Sequence, residues 1–163
     1  MAEKGGNANE SSAVVLVACG KSKVLLTGDA TSEIELAAAA APIRSDVLKV
    51  SHHGSSTSSE MAFLKAVSPK VAVISVGRNN RFGHPHDEVL ERLEYLGIPV
   101  ARTDEGGAIK VVFDETGPKW YSYRCQRKLF LGVIKVERDS GPVPSEPQEK
   151  GRILSPSCGS HRK

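Results

Sequence analysis

Asp46-Val47-Leu48-Lys49-Val50-Ser51-His52-His53-Gly54-Ser55 is the stretch on which the reading of this chain turns. An apolar run of strand length ends in two adjacent histidines, and Gly54 and hydroxyl residues from Ser55 to Ser59 follow. A short apolar run bounded by such turn residues reads as a buried strand. In sheet-based α/β proteins the loops at the C-terminal ends of strands carry ligands and catalytic groups, because the sheet holds them still while they vary. Leu25-Leu26-Thr27-Gly28-Asp29-Ala30 and Asn80-Arg81-Phe82-Gly83-His84-Pro85-His86 have the same character, so four of the five histidines and Asp29 lie where apolar segments give way to loops. Imidazole and carboxylate are common ligands of zinc and related ions, which makes a metal-centred hydrolytic site the first hypothesis.

Outside these stretches, strand and helix signals alternate. Val14 to Val17, a Gly20-Lys21 turn and Lys23 to Thr27 read as a hairpin that delivers Asp29 at its far end. Ser32 and Glu35 have capping-box spacing ahead of the alanine-rich run from Leu36 to Ala41, and Pro42 stops that helix. A third strand spans Asp46 to Val50. A helix from Ser58 to Pro69 places Met61, Leu64 and Val67 on one face, and Lys70 to Val76 alternates as a buried strand. Pro85 at a first helical position opens a helix with Val89, Leu90, Leu93 and Leu96 on one face, closed by Gly97. Ile98 to Ala101, Ala108 to Phe113 and Lys119 to Tyr123 are three more strands, and Cys125 to Val136 is apolar enough for a last one. The expected organisation is a disordered lead-in at 1–12, one α/β domain at 13–136 and a disordered Pro-, Ser- and Lys-rich tail at 137–163.

Composition narrows the class. The 163 residues are 39% hydrophobic and 25% charged, ordinary for one globular domain. A net charge of +3 permits phosphate or nucleic-acid binding but is far from a dedicated basic stripe. Cys19, Cys125 and Cys158 form no C-x-x-C pair, so neither a disulfide framework nor a thiolate zinc site is expected. No apolar run approaches the roughly 18 residues of a membrane span, and Met1 to Ser12 lacks the apolar core of a signal peptide. The sequence therefore carries no expectation of membrane contact and leaves the compartment open.

The chemistry-bearing residues each have a plain alternative. Asp29 at a strand terminus either ligates metal or makes an Asx-turn or caps the helix beginning near Thr31. If the strand pleat continues through His52-His53, the two rings point to opposite faces and one of them faces a given ion, His53 as ligand and His52 in support. The rival is a solvated polar loop. His84-Pro85-His86 lies at a helix start, where free N–H groups favour anions, and Arg78 and Arg81 add charge beside it. With Ser55 these residues form a candidate phosphate cradle, against which stands simple helix capping with the arginines in solvent. A Ser/His hydrolase built on Ser55 to Ser59 lacks the Gly-x-Ser-x-Gly elbow.

Taken in order, Leu-Leu-Thr-Gly-Asp-Ala, Asp46 to Ser55, Ile74-Ser75-Val76-Gly77 running into Asn80 to His86, and Arg102-Thr103-Asp104-Glu105-Gly106-Gly107-Ala108-Ile109 closely resemble the metallo-β-lactamase-fold domain of ComEC-type DNA-internalisation competence proteins. The resemblance covers roughly Ser12 to Phe113. It implies part of an αββα sandwich, a mixed sheet with flanking helices, and a binuclear zinc or manganese site that hydrolyses phosphodiesters, DNA above all. By matching positions, Asp29 would be the metal-bridging carboxylate and His53, or else His52, a late ligand. His84 would stand at the rim for phosphate contact or proton transfer, with Arg81 beside it. Such domains also carry an upstream H-x-H-x-D-H cluster, which this sequence lacks. A catalytic zinc takes about three protein ligands, so weak metal binding and little activity are expected of the chain alone. A homo-oligomer or a partner supplying the other half would cover the open side of the sandwich. A non-catalytic module that binds nucleic acid or a partner protein is the alternative.

Overall fold

In the computed structural model, described for residues 11–123 and for the backbone of 134–138 and 153–154, the alternation of the strands separates two cores. In β2 (Ser22–Leu26), β3 (Val47–Lys49) and β4 (Val71–Ile74), successive side chains face opposite sides. Leu25, Leu48, Ala72 and Ile74 pack on helices with Phe63, Leu64, Val89 and Leu93. Val24, Val47, Val71 and Val73 pack on the second sheet with Ile109 and Val111. Both faces of the central strands are therefore dry, which is why these segments read as apolar runs rather than strict alternations.

The first sheet has the order β1-β2-β3-β4-β5, with β1 (Val15–Cys19) antiparallel to β2 and the pairs from β2 to β5 (Val100–Arg102) parallel. It is a mixed sheet, flanked by α1 (Ser32–Ala38), α2 (Met61–Val67) and α3 (Asp87–Tyr95). The second sheet has the order β8-β6-β7-β9, centred on the antiparallel pair β6 (Ala108–Asp114) and β7 (Gly117–Tyr123), with β8 (Ile134–Arg138) parallel to β6 and β9 (Ile153–Leu154) parallel to β7. Helix, sheet and sheet thus stack in three layers, an α/β arrangement with two facing sheets. β1 is an edge strand, and its Val15, Leu16 and Val17 are exposed.

Several local expectations need correction. The Ser32/Glu35 capping box does not form: Thr31 is the N-cap without a side-chain hydrogen bond, and Glu35 is buried instead. α1 ends at Ala38, before Pro42, and α2 begins at Met61 rather than Ser58. Pro85 precedes α3, whose N-cap is His86, because Pro85 packs against Gly54 rather than starting the helix. A one-turn helix, α4 (Thr103–Gly106), lies in the Arg102 to Ala108 stretch. Of the lead-in expected at 1–12, residues 1–10 lie outside the described residues, as do 124–133 of the expected last strand and the tail expected at 137–163 apart from 137–138 and 153–154, which are strand rather than disordered. Among the described residues no helix is long and apolar enough to cross a membrane.

Candidate functional site

The site gathers where β2, β3 and β4 end. β3 stops at Lys49, so the pleat does not reach the histidines; His52 (φ 46°, ψ 41°) and His53 (φ 56°, ψ 18°) are both left-handed. The expectation that pleating would send the two rings to opposite faces therefore fails at its premise. Successive left-handed non-glycine residues are uncommon and cost of order 1–2 kcal/mol each, so neighbouring contacts must hold them.

Those contacts converge on Gly28, which takes φ +56° at the end of β2. Its carbonyl accepts a hydrogen bond from the His52 N–H at 3.1 Å and another from Lys49 Nζ at 2.8 Å. The buried Thr27 hydroxyl donates to the Lys49 carbonyl at 2.7 Å. The Asp29 turn and the histidine loop are thereby tied through one carbonyl oxygen. Burial pulls the Lys49 amine below the ordinary lysine range, and the Asp29 carboxylate opposes that shift. Lys49 was invisible as a site residue in the sequence, where it reads only as a strand residue beside the histidines.

His53 and Asp29 face each other, with Nε2 3.6 Å from Oδ1 and both side chains partly open to solvent. His53 Nδ1 lies 2.6 Å from the Ser75 carbonyl oxygen at the end of β4. A carbonyl only accepts, so Nδ1 carries a proton, which in a neutral ring leaves the lone pair on Nε2, the nitrogen nearest Asp29. That tautomer, held by a backbone carbonyl, is the one a metal-ligating histidine requires. Two ligands about 2.0–2.1 Å from a tetrahedral ion stand roughly 3.3 Å apart, so this pair fits one ion after closing by a few tenths of an ångström. Among the described residues no group of three or more His, Cys, Asp and Glu side chains is arranged to hold an ion. An ion held here would take two ligands from the residues present, Asp29 and His53. Asp29 is not the N-cap of α1, a position that Thr31 occupies.

The remaining histidines divide. The His84 ring lies 5.8 Å from that of His52 and 4.9 Å from that of His86, edge-on to both, and stacks near Phe82 at 5.9 Å. Burial, then the neighbouring His86, His52 and His53, push His84 below the ordinary histidine range, with Asp29 pulling the other way. His86 accepts the Ser56 N–H at Nδ1 (2.9 Å), so its Nε2 bears the proton and faces the Phe82 carbonyl at 3.3 Å. Both its nitrogens face protein, which makes His86 a fastener between loops. Of the expected phosphate residues, Arg81 is exposed with its guanidinium 5.3 Å over the Phe82 ring, and Arg78 is exposed and donates to the Asp104 carbonyl at 3.2 Å. Ser55 is buried and its hydroxyl lies 3.0 Å from that of Thr57, inside the loop.

Sequence comparison places this arrangement. Residues 5–78 match the metallo-beta-lactamase superfamily. The chain is 43% identical over 104 residues to ComE operon protein 3 of Bacillus subtilis, covering 63% of this chain and 13% of that protein. It is 45% identical over 105 residues to Recombination protein 2 of Haemophilus influenzae, covering 64% and 13%. It is 37% identical over 130 residues to Competence protein ComA of Neisseria gonorrhoeae, covering 75% and 19%. The matched region is of the metallo-β-lactamase type and is similar to the corresponding part of these competence-related proteins. The chain spans under a fifth of the length of these relatives.

Proposed function

We propose that this chain is the C-terminal part of a metal-dependent phosphodiesterase domain that acts on DNA during uptake, and that alone it is nearly inactive. The observation that carries the reading is the Asp29–His53 pair, a carboxylate oxygen and an imidazole nitrogen facing each other at 3.6 Å above the ends of parallel strands. Zinc or manganese held there would supply Lewis acidity and an activated water. The chain's own residues do the rest. Asp29 and His53 contribute ligands, Ser75 holds the His53 tautomer, and Gly28 with Lys49 fixes the approach of the two loops. His84, kept neutral near pH 7 by burial, accepts a proton at the rim, while Arg81 balances charge on phosphate oxygens. Ligands beyond this pair would come from another segment or chain. The exposed apolar β1 edge supports an occupant there, a second copy or the upstream half of the domain.

Metal analysis and a zinc- or manganese-dependent cleavage assay on labelled DNA test this. The expected result is sub-stoichiometric metal and little cleavage by the isolated chain. Stoichiometric metal and rapid cleavage by a monomer would overturn the claim that the site is incomplete. The exposed Arg81–Phe82 pair favours one rival, a non-catalytic nucleic-acid module. That rival requires salt-sensitive DNA binding that survives both a chelator and Asp29→Ala.

A further inference from the structure

We propose that Glu35 is a positioning residue for the metal-facing histidine: its carboxylate fastens the start of the Ser51–Ser59 loop to its end and so keeps His53 within reach of Asp29. Glu35 lies on the inner side of α1 and is fully buried, a position where an apolar side chain is the ordinary occupant. A buried carboxylate is costly unless its oxygens receive hydrogen bonds. Both do. The Ser51 hydroxyl donates to Oε1, and the Ser59 N–H donates to Oε2 at 2.6 Å.

These two donors are the ends of the loop that carries His52 and His53. Ser51 immediately precedes His52, and Ser59, itself left-handed at φ 59°, immediately precedes the entry to α2. Three left-handed non-glycine residues thus lie in this nine-residue loop, and released ends would let them relax to lower-energy backbone. A second link from the same helix, Ser32 N–H to the Thr57 carbonyl at 2.9 Å, grips the loop further along. Ser58 Oγ closes it internally on the Ser51 carbonyl at 3.2 Å. Arg92 Nη1 of α3 holds the Ser58 and Ser59 carbonyls at 3.2 and 3.3 Å. Among the described residues only the Glu35 side chain receives hydrogen bonds from both termini, so its loss frees the segment at the end that bears His53.

The inference uses the Asp29–His53 pairing on which the proposed function rests, but its readout is the ring of His53 rather than catalysis. A chain that never cleaves DNA leaves this test unaffected. The test is long-range imidazole ¹H–¹⁵N NMR on the full chain. His53 is expected in the Nδ1–H tautomer in the wild type and as a rotationally averaged ring in Glu35→Ala. Glu35→Gln retains the wild-type pattern, because its amide oxygen still accepts from Ser59 and its NH₂ reaches the Ser51 oxygen. Val67→Ala, in the fully buried face of α2, is a destabilised control in which His53 is unchanged. Ser51→Ala removes one arm and moves His53 part of the way; it decides the matter if Glu35→Ala does not fold. An unchanged His53 in folded Glu35→Ala overturns the proposal, as does an unchanged His53 in Ser51→Ala where Glu35→Ala is unfolded. An equal displacement in Val67→Ala overturns it too.

Discussion

At Gly54 the backbone takes φ +87°, and a Cβ there would lie 2.6 Å from Cβ and 3.0 Å from Cα of Pro85. The histidine loop and the His84–His86 segment meet at this point, joined also by the His86 N–H donating to the Gly54 carbonyl at 2.9 Å. Gly54→Ala adds left-handed strain and a backbone clash together, so a loss of roughly 2–4 kcal/mol is expected in urea unfolding. A change under about 0.5 kcal/mol would mean the two loops are not in contact there. Glu35 has a different signature. Burial, working against the hydrogen bonds from Ser51, Ser59 and Glu60, pushes its carboxyl up to about 7 from 4.5. The folded state therefore binds a proton that the unfolded state has released between about pH 4.5 and 7. The associated stability is fully present below pH 4.5 and is lost as pH rises through 7. Wild type should lose on the order of 2–3 kcal/mol over that interval relative to Glu35→Gln, whose neutral amide does not titrate. Parallel stability curves for the two proteins would show that Glu35 is ionised throughout.

At the scale of elements, α3 is the piece that locks the two loops together from outside the sheet. Its N-cap residue His86 receives the Ser56 N–H and faces the Phe82 carbonyl, and Arg92 one turn and a half later reaches the Ser58 and Ser59 carbonyls. His86→Ala leaves the Ser56 N–H without its acceptor and should cost about 1–2 kcal/mol in thermal or urea unfolding. Because both its nitrogens face protein, zinc affinity measured by competition with a chromophoric chelator should stay as in wild type; a tenfold loss would make His86 a ligand. The strands and α3 were legible in the sequence because their cause is local: apolar runs of strand length, and Val89 and Leu93 four residues apart on a buried face. The joins were less so. The Ser32/Glu35 spacing is a fair capping signal, yet Glu35 is drawn inward by Ser51 and Ser59, residues of another loop. Pro85 fits a first helical turn, but contact with Gly54 holds it outside α3. Asp29 and His53 were legible as residue types at strand ends; that Gly28 and Lys49 unite them depends on parallel pairing of β2 with β3, which no local pattern encodes.

Across the whole molecule, two dry cores either side of the first sheet make its C-terminal edge a rigid shelf, so the Asp29–His53 separation is set by packing rather than by the loops alone. Rigidity favours metal binding only if enough ligands are present. One imidazole and one carboxylate would give an ion two protein ligands where zinc commonly takes three or four. Both side chains are partly exposed, so water would complete the shell of an ion bound there and compete with them for it. The chain should therefore pick up zinc in excess metal and lose it on desalting, with mass-spectrometric metal content well below one per chain. His53→Ala and Asp29→Ala should each abolish the residual uptake, since one remaining ligand offers no chelate advantage, whereas Arg81→Ala should leave it intact. Retention of one zinc per monomer through desalting, insensitive to both substitutions, would place the ion away from this pair and remove the basis for assigning the shelf a metal-dependent role.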